Sequence, residues 1–148
     1  METVQISENT LNWENEVQNV AIPQGVNPNL VLAIIDQESA GNPNATGSAG
    51  EQGLMQLKPI FVEEATRQFP QIAEFADNFQ RPFNNIVIGT AGLRALLDRF
   101  TEREALRAYN QGATGKDQPG NVTKADNYAN SVIEKKIKIG ILRTKGQI

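Results

Sequence analysis

Cysteine and histidine are both absent from the 148 residues. Their absence excludes thiol nucleophiles, disulfides, imidazole bases and histidine-ligated metals. It removes the Ser-His-Asp and Cys-His hydrolases and nearly all zinc enzymes. Long apolar runs are missing too, and none approaches the ~20 residues of a membrane span. A strong excess of charge of either sign is also lacking. The net charge is −3, and no stripe of Lys and Arg marks a nucleic-acid surface. The densest basic stretch, Glu134-Lys-Lys-Ile-Lys138, reads as the solvated face of a C-terminal helix, where cations suit the helix dipole. What remains for a side-chain enzyme is carboxylate, Tyr, Lys or Ser chemistry, with no cofactor implied. With 39% hydrophobic and 21% charged residues, the chain has the make-up of one globular domain with a real core.

The carboxylate that stands out is Glu38. It ends the stretch Pro28-Asn-Leu-Val-Leu-Ala-Ile-Ile-Asp-Gln-Glu38. Asn27 suits an N-cap, Pro28 suits the first helical position, and Gly41 with Pro43 mark a stop. Leu30, Val31, Ala33, Ile34 and Ile35 cover most of the circumference, which predicts a central helix. Glu38 follows Ile34 by one helical turn and Val31 by two, so it continues the apolar stripe. Burial and the C-terminal end of the helix dipole both disfavour its charged form. A carboxylic acid kept protonated near neutral pH is the group that general-acid catalysis needs. Asp36 is two residues away and points to another side. The competing reading makes Glu38 a last-turn glutamate reaching water.

The rest of the chain reads as helices joined by two Gly-rich loops. Trp13, Val17, Val20 and Ala21 place a helix over ~10–21. The central helix spans ~28–40, and the loop at 41–53 has room for a short hairpin. Further helices are predicted from Pro59 to Phe69, briefly after Pro70, and over ~84–100, where Gly89 and Gly92 allow close helix contact. Thr101-Glu-Arg-Glu104 is a capping-box signature that opens another helix. After a loop at ~111–122, Thr123 with Asp126 caps a last helix that buries Ala125, Tyr128, Ala129, Val132, Ile133 and Ile137. Residues beyond Leu142 read as a frayed tail. The domain layout is a lead-in with an N-terminal helix at 1–24, a body at 25–142 that forms one domain with it, and a tail at 143–148.

Four short motifs sit at these helix ends and loop edges: Glu38-Ser39, Gly53-Leu54-Met55-Gln56, Ala108-Tyr109-Asn110 and Asn127-Tyr128-Ala129. Each is common alone. In this order and spacing they resemble the motif series of the soluble-type, family 1 lytic transglycosylases, whose lysozyme-like catalytic domain is shared with goose-type lysozymes. The resemblance runs from about Gly25 to Ile137, and Asn85-Ile86…Gly89 also fits it. It implies a mainly α domain of the lysozyme-like α+β superfamily, with a substrate cleft and at most a very small β-hairpin. It implies a substrate, the glycan strand of peptidoglycan, cut between N-acetylmuramic acid and N-acetylglucosamine. Glu38 would be the acid and then the base, and the muramic C6 hydroxyl would close a 1,6-anhydro ring. Ser39 would bond near the acid or an acetamido group, and Gly53 would allow close approach of sugar. Met55 would pack on the ring or the acid, and Gln56 would bond an N-acetyl group. Tyr109 and Asn110 would line the opposite wall. Tyr128 would reach Glu38 or the sugar. Met55 and Tyr128 also suit plain core positions.

Goose-type lysozymes carry an Asp shortly after the Leu-Met-Gln segment, and here Lys58 stands at the matching place. That departure favours the transglycosylase over a hydrolytic muramidase, which would rest on Glu51 as its second carboxylate. A non-catalytic glycan-binding or assembly module and a chitin-directed glycosidase are the other readings. The start, Met-Glu-Thr-Val-Gln-Ile-Ser-Glu, lacks the basic region and apolar core of a secretory signal. The expected setting is the bacterial cell wall, reached as a phage product carried by a virion or released at lysis. A specialised secretion system, or a domain trimmed from a longer chain, also fits. The isolated domain is expected to be a monomer, with no nucleic-acid partner.

Overall fold

A computed structural model describes residues 3–148. Among these described residues, seven α-helices run as α1 (Glu8–Leu11), α2 (Glu14–Ala21), α3 (Pro28–Ser39), α4 (Pro59–Gln68), α5 (Pro82–Arg99), α6 (Glu102–Gln111) and α7 (Val122–Thr144), with 3₁₀ turns at Pro70–Phe75 and Gly115–Asp117. No helix among the described residues is long and apolar enough to cross a membrane. The mainly helical class agrees with the sequence. In place of a hairpin, the 41–57 loop forms single antiparallel bridges, Thr46 with Gln52 and Gln52 with Leu57.

The centre of the fold is α3. The Asn27 side chain accepts from Asn29 N at 2.8 Å and Pro28 opens the helix, as the cap and N1 preferences predict. Every residue from Leu30 to Ile35 is at most 1% exposed, because α7, α2 and α1 pack around it. The stop differs slightly from expectation. Ala40 already takes the left-handed conformation, with φ 51°, and Gly41 follows at φ 80°. A Cβ on Gly41 would overlap the backbone of Asn9 and Thr10, so glycine here lets α1 close over the end of α3. Gly92 does the same for α4, since a side chain there would strike the Phe61 ring. Gly89 instead makes room for Met55.

Four local expectations are corrected. The helix expected at ~10–21 breaks at Asn12–Trp13 into α1 and α2. Thr101 does cap α6, accepting from Glu104 N at 3.4 Å, but the Glu104 carboxylate turns to Arg107 and Lys116 and does not close the box. The cap of α7 is Asn121, without a side-chain bond; Asp126 pairs with Arg107 at 2.9 Å. Ile137 is 59% exposed while Ile139 is fully buried, because the packed stripe of α7 runs through Ala125, Ala129 and Val132 to Ile139, and Ile137, two residues from Ile139, faces another side.

The C-terminal residues are tied down. Arg143 lies in α7 and bonds Asn29 at 2.7 Å and Glu14 at 2.5 Å, and Ile148 packs against the core. The basic run is not simply solvated either: Lys136 meets Glu102 at 2.7 Å, and Lys135 meets Asp36 at 2.9 Å. Asp36 points away from Glu38, as expected, and also accepts from Ser7 N at 2.9 Å and from the Thr10 hydroxyl at 2.7 Å. One buried carboxylate thus joins the N-terminal segment, α3 and α7.

Candidate active site

Glu38 stands in the last turn of α3 and faces α7. The Tyr128 hydroxyl donates to Glu38 Oε2 at 2.8 Å. Burial pushes the Glu38 carboxyl up from its ordinary 4.5 to about 7, and the nearby charge of Glu51 pushes the same way. The Tyr128 hydrogen bond and the cation of Lys58 oppose the rise. Desolvation therefore wins over two favourable partners, and the group is poised to hold or release a proton at neutral pH.

Two tyrosines build the wall beside it. The Tyr109 and Tyr128 rings stack at 6.4 Å, with 11° between planes, and Phe61 meets Tyr109 edge-on at 5.2 Å. The Tyr109 hydroxyl donates to the Met55 carbonyl at 2.8 Å. Burial, and then the charge of Glu38, push both phenols well above their usual range, so both remain donors. Because the Tyr128 bond holds the Glu38 pKa down, Tyr128→Phe should raise it. The alkaline limb of the activity profile is then expected to move to higher pH. A limb that stays in place, or moves lower, would show that this bond does not tune the acid.

The Gly53–Leu57 loop completes the site through its backbone. Ser39 Oγ lies 2.8 Å from the Leu54 carbonyl and 3.1 Å from that of Ile35, and accepts from Gly41 N. Ser39 therefore fastens the loop to α3; its hydroxyl is not turned to the acid. Met55 is fully buried, with its sulfur against Gly89, so its side chain is core. Gln56 adopts φ 49°, and its Nε2 donates to Ala45 O and Gly53 O at 2.9 and 3.0 Å. Only its side-chain carbonyl is left for a ligand. Gly53, at φ 86°, is needed because a Cβ would overlap the amide of Asn85.

Asn85 is the residue whose part the sequence reading did not assign. Fully buried in α5, it accepts from Met55 N at 2.7 Å and donates to Gln52 O at 3.0 Å and Phe79 O at 2.8 Å. One amide thus sets the loop that in turn positions Tyr109. The sequence signals were the fit of Asn85-Ile86…Gly89 to the resemblance and an amide beside the apolar run Ile86-Val87-Ile88, and neither assigns its role.

Asn110 accepts from Gln111 at 2.7 Å and lines a polar groove with Gln37, Lys124, Asn127 and Tyr128. Glu51 sits near enough for its charge to act on Glu38. One Glu51 oxygen is buried without a hydrogen-bond partner among the described residues, and the carboxylate crowds Gly47. Behind α6, Arg107 bonds Glu104 at 2.8 Å, Asp117 at 3.0 Å and the Lys116 carbonyl at 2.9 Å. It fastens the 112–121 loop to the helix that carries Tyr109. The structure thus gathers Glu38, Tyr128, Tyr109, Glu51 and the Met55 backbone, and turns the side chains of Ser39 and Met55 inward.

The chain is similar to known proteins along most of its length. It is 35% identical over 122 residues to the transglycosylase of Enterobacteria phage PRD1, covering 77% of this chain and 43% of the phage protein. It is 34% identical over 92 residues to the endo-type membrane-bound lytic murein transglycosylase A of Klebsiella pneumoniae, covering 58% of this chain and 43% of that one. The chain thus spans less than half the length of these relatives. The fold matches the crystal structure of an inactive mutant of the lytic transglycosylase Slt from Pseudomonas aeruginosa, with TM-score 0.76 and 24% identity over 88% of this chain and 24% of that one. Residues 16–132 match the family model described as the transglycosylase SLT domain. This match takes in Glu38, the Gly53–Leu57 loop, Asn85 and both tyrosines, and the chain belongs to the transglycosylase SLT domain family.

Proposed function

We propose that this chain is a peptidoglycan lytic transglycosylase that uses Glu38 as its only acid and base. The observation that carries the reading is a carboxyl with a pKa of about 7 at the buried end of α3, held by the Tyr128 hydroxyl. In its protonated form Glu38 gives its proton to the glycosidic oxygen as the bond to C1 of N-acetylmuramic acid breaks. The carboxylate then takes the proton of the C6 hydroxyl of the same sugar while that oxygen bonds to C1. The acid is regenerated, no water enters, and a 1,6-anhydro end results. One group serves in both steps because a carboxylate of pKa near 7 is a competent base once ionised. The intramolecular nucleophile arrives already positioned. Residues 25–142 form the catalytic body in this reading, and the described part of the lead-in, residues 3–24, folds onto it. The names of the relatives support peptidoglycan as substrate and the cell wall as the place of action.

The rate is expected to fall about ten-fold per unit of pH above about 7, as Glu38 loses its proton in the free enzyme. A rate that stays level from pH 6 to pH 9 would remove Glu38 as the acid.

A second reading is hydrolysis, with Glu51 activating a water. It is favoured by the closeness that lets the Glu51 charge act on Glu38. Lys58, at the place where goose-type lysozymes carry an Asp, speaks against it. The products of digestion separate the two.

A further inference from the structure

A cleft outside the Glu38 site lies where α1 meets the loop that follows α3. It is lined by Asn9, Asn12, Trp13, Gly41, Asn42 and Pro43. We propose that this cleft is a second glycan site, and that it holds an N-acetylglucosamine unit of the strand beside the Glu38 cleft. Asn9, Asn12 and Trp13 precede the segment that matches the family model, and Gly41, Asn42 and Pro43 lie within it, so the lead-in supplies one wall of the site and the loop after α3 the other.

The lining decides the ligand class. It carries no charged side chain, which turns away carboxylates, phosphates and cations. It carries the only tryptophan of the chain and three asparagines, and each amide is both donor and acceptor. An aromatic body with amides around it suits a neutral ring that has an apolar face, hydroxyls and an acetamido group. Of the two sugars of peptidoglycan, N-acetylglucosamine is the one without a carboxylate-bearing arm. The choice of this sugar rests on the glycan-strand reading above.

The cleft is also preorganised. Trp13 Nε1 donates to the Gly41 carbonyl at 3.0 Å, which fixes the ring. Asp36 ties Ser7 and Thr10 to α3, so the wall bearing Asn9 and Asn12 is anchored from beneath. The side-chain amides of Asn9 and Asn12 are exposed and make no hydrogen bond to other described residues. They are free for a ligand on a wall that need not reorder, which is where binding loses least. Gly41 follows Glu38 by three residues, a reach of at most roughly 11 Å. A strand held here thus lies at the same end of α3 as the acid.

The single tryptophan makes the site directly readable. The chain with Glu38→Gln is titrated with the N-acetylglucosamine tetramer while Trp13 emission is followed. A saturable change is expected, and Asn9→Ala with Asn12→Ala should weaken the apparent affinity at least ten-fold. Both positions are exposed and unbonded, so the double variant should keep the parent's melting temperature. In parallel, the side-chain amide signals of Asn9 and Asn12 in the unsubstituted lead-in should shift with ligand. An unchanged affinity in the double variant would place the ligand elsewhere and overturn the site. So would a titration in which neither Trp13 nor the two amides respond. Products with 1,6-anhydro ends from an enzyme lacking this response would sink the second site alone. Binding at Trp13 without any cleavage would sink the transglycosylase reading alone.

Discussion

Glu38→Gln is expected to abolish cleavage of purified peptidoglycan, by about three orders of magnitude or more given what a general acid contributes. The amide can still accept the Tyr128 hydroxyl's bond but has no proton to give to a leaving oxygen and no basicity to collect one. The fold should survive. Above about pH 7 the parent carries an ionised carboxylate in a desolvated place, so folding there is opposed by its buried charge. The sign follows from a pKa raised on folding: its stabilising contribution is complete below the unfolded value of about 4.5 and is lost as the pH rises through about 7. The Gln variant has no such loss and should melt at the same temperature as the parent, or higher, at pH 8. Turnover within ten-fold of the parent would take Glu38 out of the mechanism.

Asn85→Leu should give the largest loss of stability. The substitution keeps the branched skeleton, with two bulkier methyl groups, but orphans Met55 N, Gln52 O and Phe79 O, all served by one amide. Each buried backbone group left without a partner costs ~1–3 kcal/mol, so a total of about 4 kcal/mol is expected in denaturant unfolding. Asn85→Asp tests the cause. It keeps an acceptor for Met55 N but sets a carboxylate against two carbonyls, and it should be no better. At a temperature where the variants remain folded, activity should still fall, because the Met55 carbonyl that anchors Tyr109 is no longer held. A variant as stable and active as the parent would mean that the loop is positioned by Ser39 and Gln56 alone.

The contrast between Glu38 and Asn85 shows what the sequence made legible. The helix that carries Glu38 announces itself through a cap, a proline and an unbroken apolar stripe, all local signals. The position of Glu38 on that stripe was enough to foresee desolvation. Tyr128 lay on the apolar face of the last helix, and its reach to Glu38 was one of two options; the fold selects the acid. Asn85 acts across 30 residues on Met55, and no local pattern encodes a bond of that range. The resemblance implies that Ser39 bonds near the acid or an acetamido group and that Gln56 bonds an N-acetyl group. The same hydroxyl and amide serve equally well to satisfy a tight loop, and the left-handed backbone at Gln56 needs that service. Arg107 and its carboxylates were hidden because a charged residue in a predicted helix reads as solvated until a loop folds over it. Ile137 continues the four-residue spacing of Ala129 and Ile133, whereas the face that stays packed runs from Val132 to Ile139.

The central claim is that a single carboxyl cuts the glycan without water. Mass spectrometry of the fragments released from purified peptidoglycan tests it most directly. Glu38 acting alone predicts fragments lighter by one water than hydrolysis products and ending in 1,6-anhydro-N-acetylmuramic acid. Fragments ending in a free reducing sugar would contradict it and would hand the second step to a water activated by Glu51.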